Sequence, residues 1–324
     1  MSVDLLSKFI ESTSHDPASA WDYDSLVKIA APAPAELLGD QEALLRGDQH
    51  RLWLRWYMEG LASPLRLANA APKVTRLEVF ADVSARVGQL HPGIDRKRLE
   101  LLADNVTTHL WAEIERLHRG SKRDTAGRAT RLALIQSTTV PRCYICGYAF
   151  SQEACDAFLG VKGASAVRLP DLVDVLQPIG LSDRDLGIEV EHVVPVAAGG
   201  HGQSNLRLSC GWCNKYKSSR ISIYEATFMA PRVSQFSVGP HKLHELPHPF
   251  WTIKVLATRK RCNHIEGCDH TAETSQLHVA LGDWKGSPNP TNLTIYCTEH
   301  DPVRAERYQN RDEVNDLWEN RKRR

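Results

Sequence analysis

In the first third of the chain, apolar residues recur at helical spacing. Across 95–120, Leu99, Leu102, Val106, Leu110, Ile114 and Leu117 fall on one face of an α-helix, with Asp95 as its N-cap and Gly120 as its stop. Stretches 3–11, 35–46, 50–61 and 74–90 also read as helices, punctuated by Pro32, Pro34, Pro64, Pro72 and Pro92. Beyond residue 140 the pattern changes. "IEVEHVVPV", from Ile188, alternates and is β-branched, which predicts a strand with Glu191 and His192 on opposite faces unless a bulge or twist brings them together. A glycine-rich turn, "AAGGHGQSN", follows, and "LRLSCGWCNKYK" then runs into a helix. Around this strand–loop–helix unit, "SQEACDAFLG" and "PDLVDVLQPIG" read as short helices and "FWTIKVLATRK" as a strand. "HKLHELPH" reads as a loop with no metal role, and "EVNDLWENRKRR" as a helix fraying into a basic tail.

The expected architecture is α+β. A helical domain (1–118) suited to positioning or recruiting something leads through a basic linker or helix (119–139) to a region at 140–225 with a helical insert at 147–188. A second Cys/His-bearing α+β region follows at 226–324. With 42% hydrophobic and 24% charged residues, the composition is that of an ordinary globular protein. No apolar run approaches the roughly 20 residues of a membrane helix, and the N-terminus lacks the pattern of a secretory signal, so a cytoplasmic protein without membrane contact is expected. The net charge of +1 conceals an uneven split: −4 over 1–118 and +5 over the rest, so a polyanion would be held by the second part. The run 119–131 carries five bases and one acid, an ordinary solvated stretch or one that could follow a phosphate backbone.

All 8 cysteines lie at or beyond residue 143. Cys143-x-x-Cys146 and Cys210-x-x-Cys213 are two knuckles whose four thiolates suit a closed, tetrahedral, structural Zn²⁺. Cys262, Cys268, Cys297 and His300 form a looser candidate for a second zinc, with His264 and His270 as competing ligands. Cys155 has no partner at ligand spacing and reads as a buried thiol, and His201 as an ordinary loop residue. The two Cys/His regions also echo each other. His192 precedes Asn205 by 13 residues and His278 precedes Asn292 by 14; each Asn lies 5 before a cysteine, Cys210 or Cys297. On this alignment Leu277 stands where Glu191 would be, so the second region is expected to be a degenerate copy that binds zinc without catalysing.

The ordered set Glu191-His192, Gly199-Gly200, Asn205-Leu206 and Cys210-x-x-Cys213-Asn214 with Lys217 nearby resembles the HNH nuclease family, the ββα-metal fold with added zinc knuckles. The resemblance spans 143–219, interrupted by the insert. It implies a metal-dependent endonuclease that hydrolyses DNA by water attack. His192 would be the general base, and Glu191 and Asn214 the ligands of a catalytic divalent cation such as Mg²⁺. Asn205 would fix the loop, and Lys215 and Lys217 would contact phosphate. Bacterial restriction or phage defence is the implied setting. Glu191 stands where the family more often has Asp, and Asn214 where it more often has His. The alternatives are a catalytically inactive zinc-dependent nucleic-acid-binding protein and a subunit of a larger defence complex that docks a protein partner through the helical domain.

Overall fold

In a computed structural model of the chain, the described residues are 7, 10–11, 20–30, 35–119, 126–196, 200, 202–227 and 229–321. Most of the helix expected at 3–11, the stop at Gly120, most of the basic run after it, Gly199, His201 and the last three residues lie outside them.

The N-terminal third folds as helices α1 (Tyr23–Ile29), α2 (Ala35–Leu38), α3 (Glu42–Leu61), α4 (Pro64–Ala68), α5 (Arg76–Leu90) and α6 (Arg96–Arg119). The apolar stripe of α6 buries Val106, Leu110 and Ile114 against Val79, Val83 and Val87 of α5. Asp95 caps α6 by accepting from the Arg98 N–H at 3.0 Å, and Thr75 with Glu78 makes a capping box at the start of α5. The helix expected at 35–46 is broken. Gly39 has φ +54°, a left-handed conformation that ends α2, and α3 restarts after a short 3₁₀ turn and runs without a break through 50–61.

The start of α3 belongs to a different core. Leu38, Leu44 and Leu45 pack with residues after 140, and Gln41 Nε2 donates to the Leu293 carbonyl at 2.9 Å. Asp48 accepts from the Ile223 N–H at 2.8 Å and lies 3.4 Å from Lys254 Nζ.

The rest of the chain contributes α7 (Arg128–Gln136), α8 (Gln152–Leu159), α9 (Asp183–Leu186), α10 (Gly211–Lys217), α11 (Pro249–Arg259) and α12 (Arg311–Glu319). Its strands pair antiparallel, two by two: β1 (Leu172–Asp174) with β8 (Tyr308–Asn310), β2 (Ile188–His192) with β3 (Leu206–Cys210), β4 (Arg232–Val238) with β5 (His241–Glu245), and β6 (Leu277–Leu281) with β7 (Leu293–Cys297).

Three expectations need correction. "FWTIKVLATRK" is part of helix α11, not a strand. His248 caps it, Pro249 starts it, and seven of its residues are buried. A helix buried nearly all round has no polar face, so its sequence lacks the 3.6-residue rhythm and its Val, Ile and Thr imitate a strand. "PDLVDVLQPIG" contains β1, which pairs with a strand 138 positions later (Leu172↔Asn310), so the insert is only partly helical. "HKLHELPH" contains β5, paired with β4. The helices at 152–159 and 311–319 are where the pattern predicts them. No helix among the described residues is long and apolar enough to cross a membrane.

Two cysteine centres and a carboxylate–histidine cleft

The first centre joins distant parts of the chain. Cys143 and Cys146 sit in a tight turn closed by the Arg142↔Ala149 bridge, with the Cys143 N–H donating to the Tyr148 carbonyl at 2.9 Å. The Tyr144 N–H donates to the Leu208 carbonyl at 3.0 Å and stitches that turn to β3. Cys210 ends β3 and Cys213 lies in the first turn of α10. All four thiols are buried, and their sulfurs lie within 4.8 Å of one another. Cys146 Sγ and Cys210 Sγ are 3.9 Å apart, against about 3.8 Å for the edge of a zinc–sulfur tetrahedron. Burial opposes ionisation throughout. Hydrogen bonds from the other three sulfurs outweigh it at Cys143 and hold that thiol well below its ordinary value, while burial drives Cys210 and Cys213 well above theirs. A bound cation would favour the thiolate forms, and the set fits an ion such as zinc.

The second centre gathers Cys262, Cys268, Cys297 and His300, with the donor atoms again within 4.8 Å. His300 presents Nδ1, 3.3 Å from Cys297 Sγ and 3.7 Å from Cys262 Sγ. Neither competing histidine belongs to the set. His264 stacks on the His300 ring at 3.9 Å, and His270 lies near the Cys297 sulfur and favours its thiolate. Burial raises the Cys297 thiol, but the His270 contact and backbone donors outweigh it and bring it to about 6.

The two units share their backbone wiring. Ile188 pairs with Cys210 as Leu277 pairs with Cys297. Tyr144 donates to Leu208 as Asn263 donates to Ile295. Asn205 Oδ1 accepts from the Val194 N–H and its Nδ2 donates back to the Val194 carbonyl, both at 2.9 Å; Asn292 clasps Asp283 in the same way, both at 2.8 Å. This register corrects the alignment of His192 with His278. The second hairpin's loop is two residues shorter, so Glu191 and His192 correspond to Ala280 and Leu281, and His278 corresponds to Glu189. Ala280 and Leu281 are buried, and His278 is 1% exposed between Asp174 and Thr298.

The Asn205 clasp shapes the loop beyond β2. A Cβ on Gly200 would meet the Val194 oxygen at 1.8 Å and Asn205 Nδ2 at 2.5 Å, so only glycine lets the clasp close. Replacing Asn205 with alanine leaves the Val194 N–H and carbonyl without these bonds. The expected cost is about 1–2 kcal/mol, read as faster hydrogen exchange at Val194; unchanged exchange there would rule out the clasp.

Glu189 and Glu191 are two apart on β2 and share the face that meets α10, where Asn214 and Lys217 are one helical turn apart. Each acid takes one helix partner. Asn214 Nδ2 donates to Glu189, which also receives Arg184 Nε at 2.7 Å. Lys217 Nζ donates to Glu191 Oε1 at 2.5 Å and to the His192 carbonyl at 2.7 Å. Lys217 is therefore buried and turned inward, away from the phosphate-contact role expected of it; Lys215 is exposed. Glu191 and Asn214, expected as joint ligands of a cation, line the same cleft, and the hydrogen-bond partner of Asn214 there is Glu189. Glu189 was missed in the sequence, although Glu-x-Glu on a strand signals two acids on one face. The alternation that separates Glu191 from His192 does not keep them apart, because both line one open cleft of about 780 Å³ with Glu189, Asn214 and Lys215. Arg131 and Arg184 flank it, with Arg131 5.4 Å from the centre of the Phe158 ring. Cys155 is buried on α8, outside both cysteine centres. No family model, curated protein or solved structure matches this chain.

Proposed function

We propose that the chain is a metal-dependent endonuclease of the HNH type acting on DNA phosphodiesters. The observation that carries this reading is the convergence of Glu189, Glu191, His192 and Asn214 on one cleft, at a hairpin–helix junction anchored by four buried thiols. A binding module needs no imidazole beside two carboxylates. The oxygens of Glu189, Glu191 and Asn214 suit a hard divalent cation such as Mg²⁺, which the thiolates do not. When bound, the cation supplies charge stabilisation for the phosphate and the leaving 3′ oxygen. His192 takes the proton from the attacking water, its strand fixed by pairing with β3 and by Lys217 on its carbonyl. Lys215, Arg131 and Arg184 supply positive charge around the cleft for the strand being cut.

The test is nicking of plasmid DNA with and without added Mg²⁺. His192→Ala is expected to lower the rate at least about 100-fold with metal content at the cysteine centres unchanged. A variant that cuts as fast as the native chain ends this reading. A second reading, in which the helical region joins the chain to a protein partner, is favoured by Trp53, Leu54, Trp56 and Tyr57, which stand 43–64% exposed along α3.

A further inference from the structure

Helix α10 has a second cavity on its other side. Lys215, Ser218 and Ser219 face the carboxylate–histidine cleft, whereas Tyr216 and Arg220 line a cavity of about 390 Å³ closed by Met229, His248 and Arg321. Two guanidiniums point to it, and aromatic faces pin both. Arg220 lies 5.5 Å from the Phe250 ring centre and donates to the Tyr216 carbonyl at 3.2 Å. Arg321 lies 5.3 Å from the Trp318 ring and 5.7 Å from that of Tyr216. Neither forms a salt bridge with a carboxylate among the described residues. The one acid on the wall, Glu225, accepts through Oε1 from the Ile221 and Ser222 N–H groups at 3.2 and 3.0 Å and pairs with neither arginine. His248 Nδ1 accepts from the Phe250 N–H at 3.2 Å, which puts the ring proton of the neutral imidazole on Nε2. Burial, followed by the two nearby guanidiniums, pushes this histidine down to about 4.

We propose that this cavity is a phosphate-binding site, with Arg220 and Arg321 as the clamp and His248 Nε2–H as a third donor. Guanidiniums held over ring faces retain N–H groups for phosphate oxygens and lose little entropy on binding. The phosphate can belong to a free ligand or to a nucleic-acid strand passing over α10. The site is argued independently of the nuclease reading, and His192→Ala should bind phosphate like the native chain.

The experiment is calorimetric titration of the full-length protein with inorganic phosphate, and separately with a short single-stranded oligonucleotide, at fixed ionic strength. Saturable phosphate binding is expected, weakened about ten-fold or more by Arg321→Gln and again by Arg220→Gln. Arg321 lies beyond the last helix, so its variant should keep the native thermal midpoint and the test survives even if Arg220→Gln misfolds. If the oligonucleotide competes with phosphate and Arg321→Gln weakens both, the source is a nucleic-acid backbone. If only phosphate binding suffers, it is a free phosphate ligand. Phosphate that binds no better than chloride, or a correctly folded Arg321→Gln that binds phosphate like the native chain, overturns the proposal.

Discussion

Cys210→Ser is expected to empty the four-thiol centre and loosen the unit that carries the cleft. Four buried sulfurs hold the 142–149 turn, the end of β3 and the start of α10 together. Beyond the Tyr144–Leu208 bond and the chain itself, these pieces rest on a β2–β3 sheet of only two strands. Structural zinc in small domains is worth roughly 10–16 kcal/mol at neutral pH. Here the surrounding core, with Ile145, Trp212 and Leu256 among its fully buried members, should limit unfolding to the β2–β3–α10 unit. The native chain should carry two equivalents of metal and the variant one, with protection from hydrogen exchange lost in β2, β3 and α10. Cys297→Ser should lose the other equivalent and leave those three elements protected. A Cys210→Ser protein that keeps both ions, or keeps its protection, contradicts the assignment of this centre as a structural clamp.

Arg307→Ala should produce the largest loss of stability away from the cysteines. The guanidinium is wholly buried. Its Nη1 donates to Asp301 and its Nη2 to the Val279 carbonyl at 2.5 Å, and its Nε lies 2.9 Å from Asp174 Oδ2 in a contact that is Coulombic, off the N–H axis. Asp174 in turn accepts from the Leu176 and Gln177 N–H groups and lies 3.4 Å from His278 Nδ1. The cluster ties β1, β6 and the turn before β8 together. Removing the cation strands two buried carboxylates, at a cost of roughly 3–5 kcal/mol. The pH dependence tests the cause. Burial acts to raise the Asp174 carboxyl, but the charge of Arg307 and then the His278 contact outweigh it and hold it below its ordinary value. The stabilisation from Asp174 is therefore complete above the ordinary carboxylate value of about 4 and is lost as pH falls through the lowered one. In Arg307→Ala the sign reverses. Without the guanidinium, burial prevails at Asp174, its carboxyl rises, and protonation relieves the strain. Denaturant unfolding should show the gap between native and variant narrowing from neutral pH toward pH 4. A gap that stays constant or widens would mean that lost packing, not stranded charge, sets the cost.

Both metal-ligand sets, four cysteines in one and three cysteines with His300 in the other, were legible because ligand chemistry is local: thiols and imidazoles at short spacing announce themselves whatever surrounds them. The amphipathic helix α6 was legible for a related reason, since its apolar stripe repeats at the helical period. The ordered Glu191, His192, Asn205 and Asn214 could likewise be picked out one by one, and the structure lines one cleft with three of them and sets Asn205 as the clasp of the loop beside it. Partner choice was not legible. That Asn214 faces Glu189, and that Lys217 turns inward to Glu191, depends on which strand positions the turn of α10 meets.

The same division holds for the rest of the molecule. By itself the sequence determined which cysteines and histidine could bind metal and where the strongly periodic helices lie, because each depends on neighbours along the chain. Tertiary structure alone decided that α11 is a helix, that β1 pairs with β8, that His278 matches Glu189 and not His192, and that Arg220 and Arg321 meet over one cavity. These outcomes depend on burial on all sides or on contacts between residues tens to more than a hundred positions apart, which leave no period and no spacing in the sequence.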